Sequence, residues 1–319
     1  MESEDAVDFS EPGYGIPPDE GPVVQIMDAQ SRPWTVDERI KKINEAGIDG
    51  REVVFINLDT GYRRHALLPE PIYGRNFTGG SASNVLDNHG HGNHTIGSNC
   101  GRDGLSACPK ANFAVIKVLG DNGSGGNTVA GLDDAARIEG DIVSCSWGGG
   151  SSVGASTTAA LKRIEESGKW CLFSAGNSGY RGANTVIAPA LSPHNIAVAA
   201  SDVRGEPAGF SSGGPTVDLI AGGVGIISCG IRSPSDLVSM SGTSMSCPTL
   251  ASVLGLLRQT FRQMGYSTKM TSRELVAWLV SEDFVKDAGP IGKDPRFGHG
   301  FITPEHILTW IEKRALSWA

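Results

Sequence analysis

Several things are scarce in this sequence of 319 residues. Nowhere do about 18 apolar residues run together, the length a helix needs to cross a bilayer, so no membrane partner is expected. Cationic side chains are outnumbered: 27 Lys and Arg stand against 35 Asp and Glu, a net charge of −8. Binding a phosphate backbone needs a basic face, so nucleic acid is excluded as the main partner. The opening MESEDAVDFS lacks the basic start and apolar middle of a secretory leader, which places the chain in the cytoplasm. Cysteine is sparse too, at six residues. In a reducing compartment they read as thiols, not a disulfide framework. Cys145 and Cys171 fall inside apolar runs and read as small buried hydrophobes. A Cys100–Cys108 pair is the lesser alternative.

Glycine, by contrast, is plentiful at 43 residues, much of it in short clusters between apolar runs. Such clusters punctuate turns. Residues 1–28 are rich in Glu, Asp, Pro and Gly without a sustained period and read as an N-terminal extension. From 29 to 319 one domain is expected. A short helix pattern begins at Trp34. Apolar strand patterns follow in REVVFINLD, FAVIKVLG, DIVSCSWGG, WCLFSAG, NIAVAAS and VDLIAGG. They alternate with helical spacing in TVAGLDDAARIE, ASTTAALKRIEE, ASVLGLLRQTFRQMG, SRELVAWLVSE and PEHILTWIEKRAL. This alternation predicts an α/β fold: a three-layer sandwich with a mainly parallel sheet and helices on both faces. Ligands in such folds bind at the carboxyl ends of strands.

Four segments carry residues suited to nucleophilic catalysis. Leu58-Asp59-Thr60-Gly61 puts a carboxylate at the end of an apolar strand, and His91 lies 32 residues on, in HGHGNHTIG. Asn177 sits in SAGNSG, and Ser244 in SGTSMSCP opens the long helix. A serine hydroxyl needs an adjacent base to take its proton, and histidine serves near neutral pH. A buried aspartate fixes the tautomer of that histidine and stabilises its charged form. The oxyanion formed on attack needs donors already aimed at it; a helix N-terminus and an asparagine amide supply them. The α/β-hydrolase elbow needs Gly two residues after its serine, where this chain has Ser246. A zinc reading of His89, His91 and His94 lacks the H-E-x-x-H arrangement with its general base.

These motifs resemble those of the subtilisin family. HGNHTIG is similar to its His-Gly-Thr-His-Val-Ala-Gly, GTSMSCP to its Gly-Thr-Ser-Met-Ala-Ser-Pro, and the order Asp, His, Ser is the subtilisin order. The likeness runs from about Ala29, in AQSRPW, to Ile302, in FGHGFI, and is nearest in layout to intracellular subtilisins. It implies a serine endopeptidase working through an acyl-enzyme, with Asp59, His91 and Ser244 as triad and Asn177 in the oxyanion hole. It implies no cofactor for the chemistry. A structural calcium ion is common in the family, but SNCGRDGLSAC is shorter than the family's calcium loop, so no metal ligand is assigned.

The resemblance also implies that a protein or peptide substrate is held as an added β-strand. By position, Gly123, Gly125, Ser146 and Gly148 are its backbone binders, and Trp147 either walls the first specificity pocket or packs in the core. Asn127 stands where many relatives carry an aromatic lining the fourth subsite. Pro189 matches a proline beside the first pocket, whereas Val186-Ile187-Ala188 departs from the family's small residue and aromatic; no preferred residue at the scissile bond is named. The proline-rich EPGYGIPPDEGPVV is expected to lie in the groove and restrain the enzyme until removed, with a functionless tail as the alternative. Two other readings stand beside the endopeptidase: a pseudoprotease that binds without cutting, and a processing enzyme with one protein target.

Overall fold

The structure is a computed structural model and describes residues 38–302 and 307–310. The expectations for the extension at 1–28, its seat in the groove, and AQSRPW therefore lie outside the described residues, as does most of PEHILTWIEKRAL.

Seven strands form one parallel sheet: β1 (Val54–Asp59), β2 (Tyr73–Asn76), β3 (Asn112–Lys117), β4 (Ile142–Cys145), β5 (Trp170–Ser174), β6 (Ile196–Ser201) and β7 (Leu219–Gly222). Their order is β2-β3-β1-β4-β5-β6-β7, with every neighbouring pair parallel. From β1 the chain goes to the edge strand β2, returns through β3 to the side of β1, and then crosses to β4 and builds outward to β7, which makes the end of β1 a switch point. Strands β4, β5 and β6 are buried along their whole length. That accounts for apolar runs instead of alternation, since both faces are covered.

The pleat sends neighbouring side chains of each strand to different cores. Phe55, Phe113 and Val115 join one apolar cluster; Ile56, Leu58 and Ile116 join the other. On the first face lie α1 (Glu38–Glu45), α2 (His91–Cys100), α5 (Thr243–Gln263) and α6 (Ser272–Ser281), and on the second α3 (Thr128–Arg137) and α4 (Ala155–Glu166). The three-layer architecture expected from the sequence is the one observed. Two short antiparallel pairs complete it: β8 (Ile226–Cys229) with β9 (Leu237–Met240), and β10 (Val285–Lys286) with β11 (Phe301–Ile302).

At the opposite end of the sheet from the strands' carboxyl termini, buried Asp141 accepts from Val54 N at 2.9 Å and pairs with Arg258 and Arg262 of α5. It ties β1 and β4 to the end of that helix. All six cysteines are free and buried; the lesser alternative of a Cys100–Cys108 bond is not what forms. Among the described residues no helix is long and apolar enough to cross a membrane, and no group of three His, Cys, Asp or Glu is placed to hold a metal ion.

Candidate active site

Asp59 is the last residue of β1, and His91 the first of α2. Both are buried, and His91 Nδ1 meets Asp59 Oδ1 at 2.7 Å. Several contacts fix this approach. Asp87 Oδ1 accepts from Gly90 N and Thr60 Oγ1, and its Oδ2 accepts from Asn93 N, so one carboxylate ties the turn after β1 to the start of α2. Gly92 N donates to Thr60 Oγ1 at 2.8 Å. A methyl group at Gly92 would fall 2.4 Å from Gly61 O; only a bare backbone lets helix and turn come this close. One turn deeper, Asn99 Nδ2 donates to Asn57 Oδ1 and Asn57 Nδ2 donates to Thr95 Oγ1, a buried polar link between β1 and α2.

Ser244 occupies the first turn of α5. Its Oγ donates to Ser146 O at 3.0 Å, and Ser146 Oγ donates back to Ser244 O at 2.7 Å. The second bond has a cause in the sequence. Pro248 lies inside α5 and has no N–H, so the carbonyl four residues earlier, that of Ser244, lacks its helical donor. Ser146, just beyond β4, supplies it. Asn177 follows β5 and is pinned by its oxygen: Thr243 N and Thr243 Oγ1 both donate to Asn177 Oδ1, at 3.0 and 2.9 Å. That oxygen satisfies an orphan N–H at the start of α5, and it turns the amide nitrogen of Asn177 the other way. The helix dipole adds partial positive charge at the same end.

The three neighbouring strands β1, β4 and β5 therefore deliver Asp59, Ser146 and Asn177 to one edge, and α5 brings Ser244 across it. The other expected binders flank the end of β1 because β3 and β4 are its two neighbours. Gly125 is exposed on the loop after β3, bridged antiparallel to Leu119. Gly123 is buried, with its N–H donated to Gly120 O at 2.9 Å. Gly148 is buried on the loop after β4.

Of the two readings of Trp147, pocket wall or core, the side chain takes the core. The indole is fully buried, donates from Nε1 to Leu58 O at 2.8 Å, and packs edge-on against Phe173 with ring centroids 5.0 Å apart. Successive residues of the loop face opposite ways, and this one faces the core under α3 and α4.

The histidines separate by environment. His94 is fully buried, meets Ile226 O through Nε2 at 2.9 Å, and has its pKa lowered to about 4 by burial. His89 is exposed, its ring 6.2 Å from that of His91. With Nδ1 of His91 on Asp59 and Nε2 of His94 on a carbonyl, the three do not converge on a metal. Cys247, three residues after Ser244, is buried and pushed up to about 12 by that burial. The nearby thiol is thus held protonated and is no rival nucleophile.

The family model described as "Subtilase family" matches residues 53–300. The Major intracellular serine protease of Bacillus subtilis (strain 168) is 32% identical over 275 residues, which are 80% of this chain and 84% of that protein. Subtilisin DY of Bacillus licheniformis is 30% identical over 272 residues, 82% of this chain and 97% of that protein. The Thermostable alkaline protease of Halalkalibacterium halodurans is 32% identical over 245 residues, 74% of this chain and 65% of that protein.

Proposed function

The chain belongs to the subtilase family and is a serine-type endopeptidase, and from that premise we propose that Asp59, His91, Ser244 and Asn177 carry its chemistry. The observation behind this reading is the buried 2.7 Å contact of His91 with Asp59 on the sheet edge to which α5 brings Ser244. Asp59 holds the imidazole with Nδ1 protonated, leaving Nε2 as the base. Ser244 Oγ attacks the peptide carbonyl carbon as His91 takes its proton. The carbonyl oxygen becomes an oxyanion, met by the amide of Asn177 and the N-terminus of α5. As the C–N bond breaks, His91 passes the proton to the departing amine. Water, deprotonated by His91, then releases the acyl group from Ser244 and restores the hydroxyl.

The substrate runs as an extended strand over the end of β1, between the loops after β3 and β4, with Gly125 and Gly148 as backbone contacts. The carbonyl of Ser146 holds the resting hydroxyl of Ser244. No cofactor takes part in these steps. The likeness to a protein named as an intracellular protease supports residence in the cytoplasm; recovery of the protein only from the culture medium would overturn that.

The deciding experiment treats the protein with a fluorophosphonate probe. Labelling is expected at Ser244 in the unaltered chain and absent in Ser244→Ala, together with loss of casein cleavage. A Ser244→Ala protein that cuts casein at the original rate overturns the assignment. Absence of both labelling and cleavage favours the binding-only reading instead, and labelling without casein cleavage favours a processing enzyme with one protein target.

A further inference from the structure

The loops leaving β4 and β5 both lose their side chains where they pass the nucleophile, at Gly148 and Gly176. What lies between them is Ile187. A methyl group at Gly148 would stand 2.9 Å from Ile187 Cδ1 and 3.0 Å from Cγ1; one at Gly176 would stand 2.9 Å from Cγ1 and 3.0 Å from Cδ1. The same two atoms thus touch both bare backbones, so the butyl group of Ile187 lies in the slot between the loops. It is half-buried and open on its remaining side. Its backbone cannot swing away cheaply. Ile187 N donates to Ala175 O at 3.1 Å, Ala188 N to Gly150 O at 3.2 Å, and Gly149 N to Ala188 O at 2.8 Å, so the segment is stitched to both loops. Branching at Cβ restricts the side chain further.

The position of this slot gives it a use. Gly176 immediately precedes Asn177, and Gly148 lies two residues beyond Ser146, the partner of the Ser244 hydroxyl. An acyl carbon bonded to Ser244, with its oxygen at Asn177, is bonded to the Cα that bears the side chain, which places that side chain at the mouth of the gap between the two glycines. We propose that Ile187 sets the specificity for the residue on the acyl side of the scissile bond. Its four side-chain carbons take up the room a leucine there would need, so the enzyme accepts glycine, alanine or serine and rejects large aliphatic and aromatic residues. This rests on the reading of Ser244 as nucleophile and Asn177 as oxyanion donor.

The test uses one peptide series differing only in that residue (Ala, Leu or Phe), with the unaltered chain, Ile187→Gly and Ile187→Ala. Fluorophosphonate labelling in each preparation counts working sites. The unaltered enzyme is expected to favour Ala over Leu and Phe in kcat/KM by at least about tenfold, the scale on which a hydrophobic pocket discriminates by size. Ile187→Gly is expected to raise the Leu-to-Ala ratio at least about tenfold, with Ile187→Ala between. Because the ratio compares two substrates on the same molecules, a partly folded variant does not distort it. Equal cleavage of Ala and Leu by the unaltered chain, or an unchanged ratio in both variants, overturns the role of Ile187. Absence of labelling and of all cleavage overturns the reading of Ser244 beneath it, and the labelling tells these failures apart.

Discussion

At the residue scale, Thr243 holds the side-chain oxygen of Asn177 from across the site. Two donors from Thr243 hold Asn177 Oδ1, and Thr243 Oγ1 also accepts from Gly176 N at 3.0 Å. Replacing Thr243 by Val removes one donor to Asn177 and leaves Gly176 N unpaired, while the backbone bond from Thr243 N survives. Because the oxyanion exists only after attack, the loss falls on turnover. Thr243→Val is expected to lower kcat roughly tenfold, about the worth of one hydrogen bond, with KM little changed. Thr243→Ser keeps the hydroxyl and is expected to restore kcat. A Val variant that raises KM at constant kcat would mean that Thr243 only supports the groove. Asp59, His91, Ser244 and Asn177 could be singled out as candidates from the sequence because each sits in a short motif set by local chemistry. The bonds of Thr243 to Asn177, the seat of Ile187 between two glycines and the Ser146–Pro248 arrangement could not, since each is a contact between separate segments of the chain. Trp147 stays open between pocket and core in the sequence for the same reason: nothing in SWGG tells which face of the loop its indole takes.

At the scale of elements, α2 couples the site to acid. His94 lies one turn after His91, buried between α2 and β8, and burial lowers its pKa to about 4, with repulsion from His91 adding to the effect. Unfolded, it would titrate near 6.5. Below that value the unfolded chain binds a proton that the folded chain refuses. The contribution is therefore complete above about pH 6.5, is lost as pH falls towards 4, and changes no further below. The size is on the order of 3 kcal/mol. In a Ser244→Ala background, which prevents self-digestion, the urea midpoint should drop between these pH values. A His94→Gln variant should show a shallower drop, and identical slopes would remove His94 as the cause. The long strands and helices were legible because apolar runs and helical spacing persist over whole elements. Strands β2, β8 and β9 were not. Each has only four residues, and β2 and β9 are partly exposed, so their order comes from pairing and not from composition.

At the scale of the whole molecule, the two ends of the sheet have different tasks. The carboxyl end of β1 carries the groups proposed to react, and the other end is clamped by Asp141 with Arg258 and Arg262. Between them the two cores hold all the sulfur of the cysteines: Cys100, Cys108, Cys229 and Cys247 on the face of α2 and α5, Cys145 and Cys171 on the face of α3 and α4. Each is essentially without contact to solvent, and burial raises the pKa of Cys100, Cys108, Cys145, Cys229 and Cys247. A thiolate attacks an alkylating reagent, so in the folded molecule the reagent finds no access to the six and, at these five, not the reactive form. The protein thus carries its own clock for opening. Iodoacetamide applied to folded Ser244→Ala protein should add at the pace of unfolding, and mass spectrometry should show molecules with either no adduct or all six. Intermediate masses confined to Cys145 and Cys171 would mean that the face under α3 and α4 opens on its own.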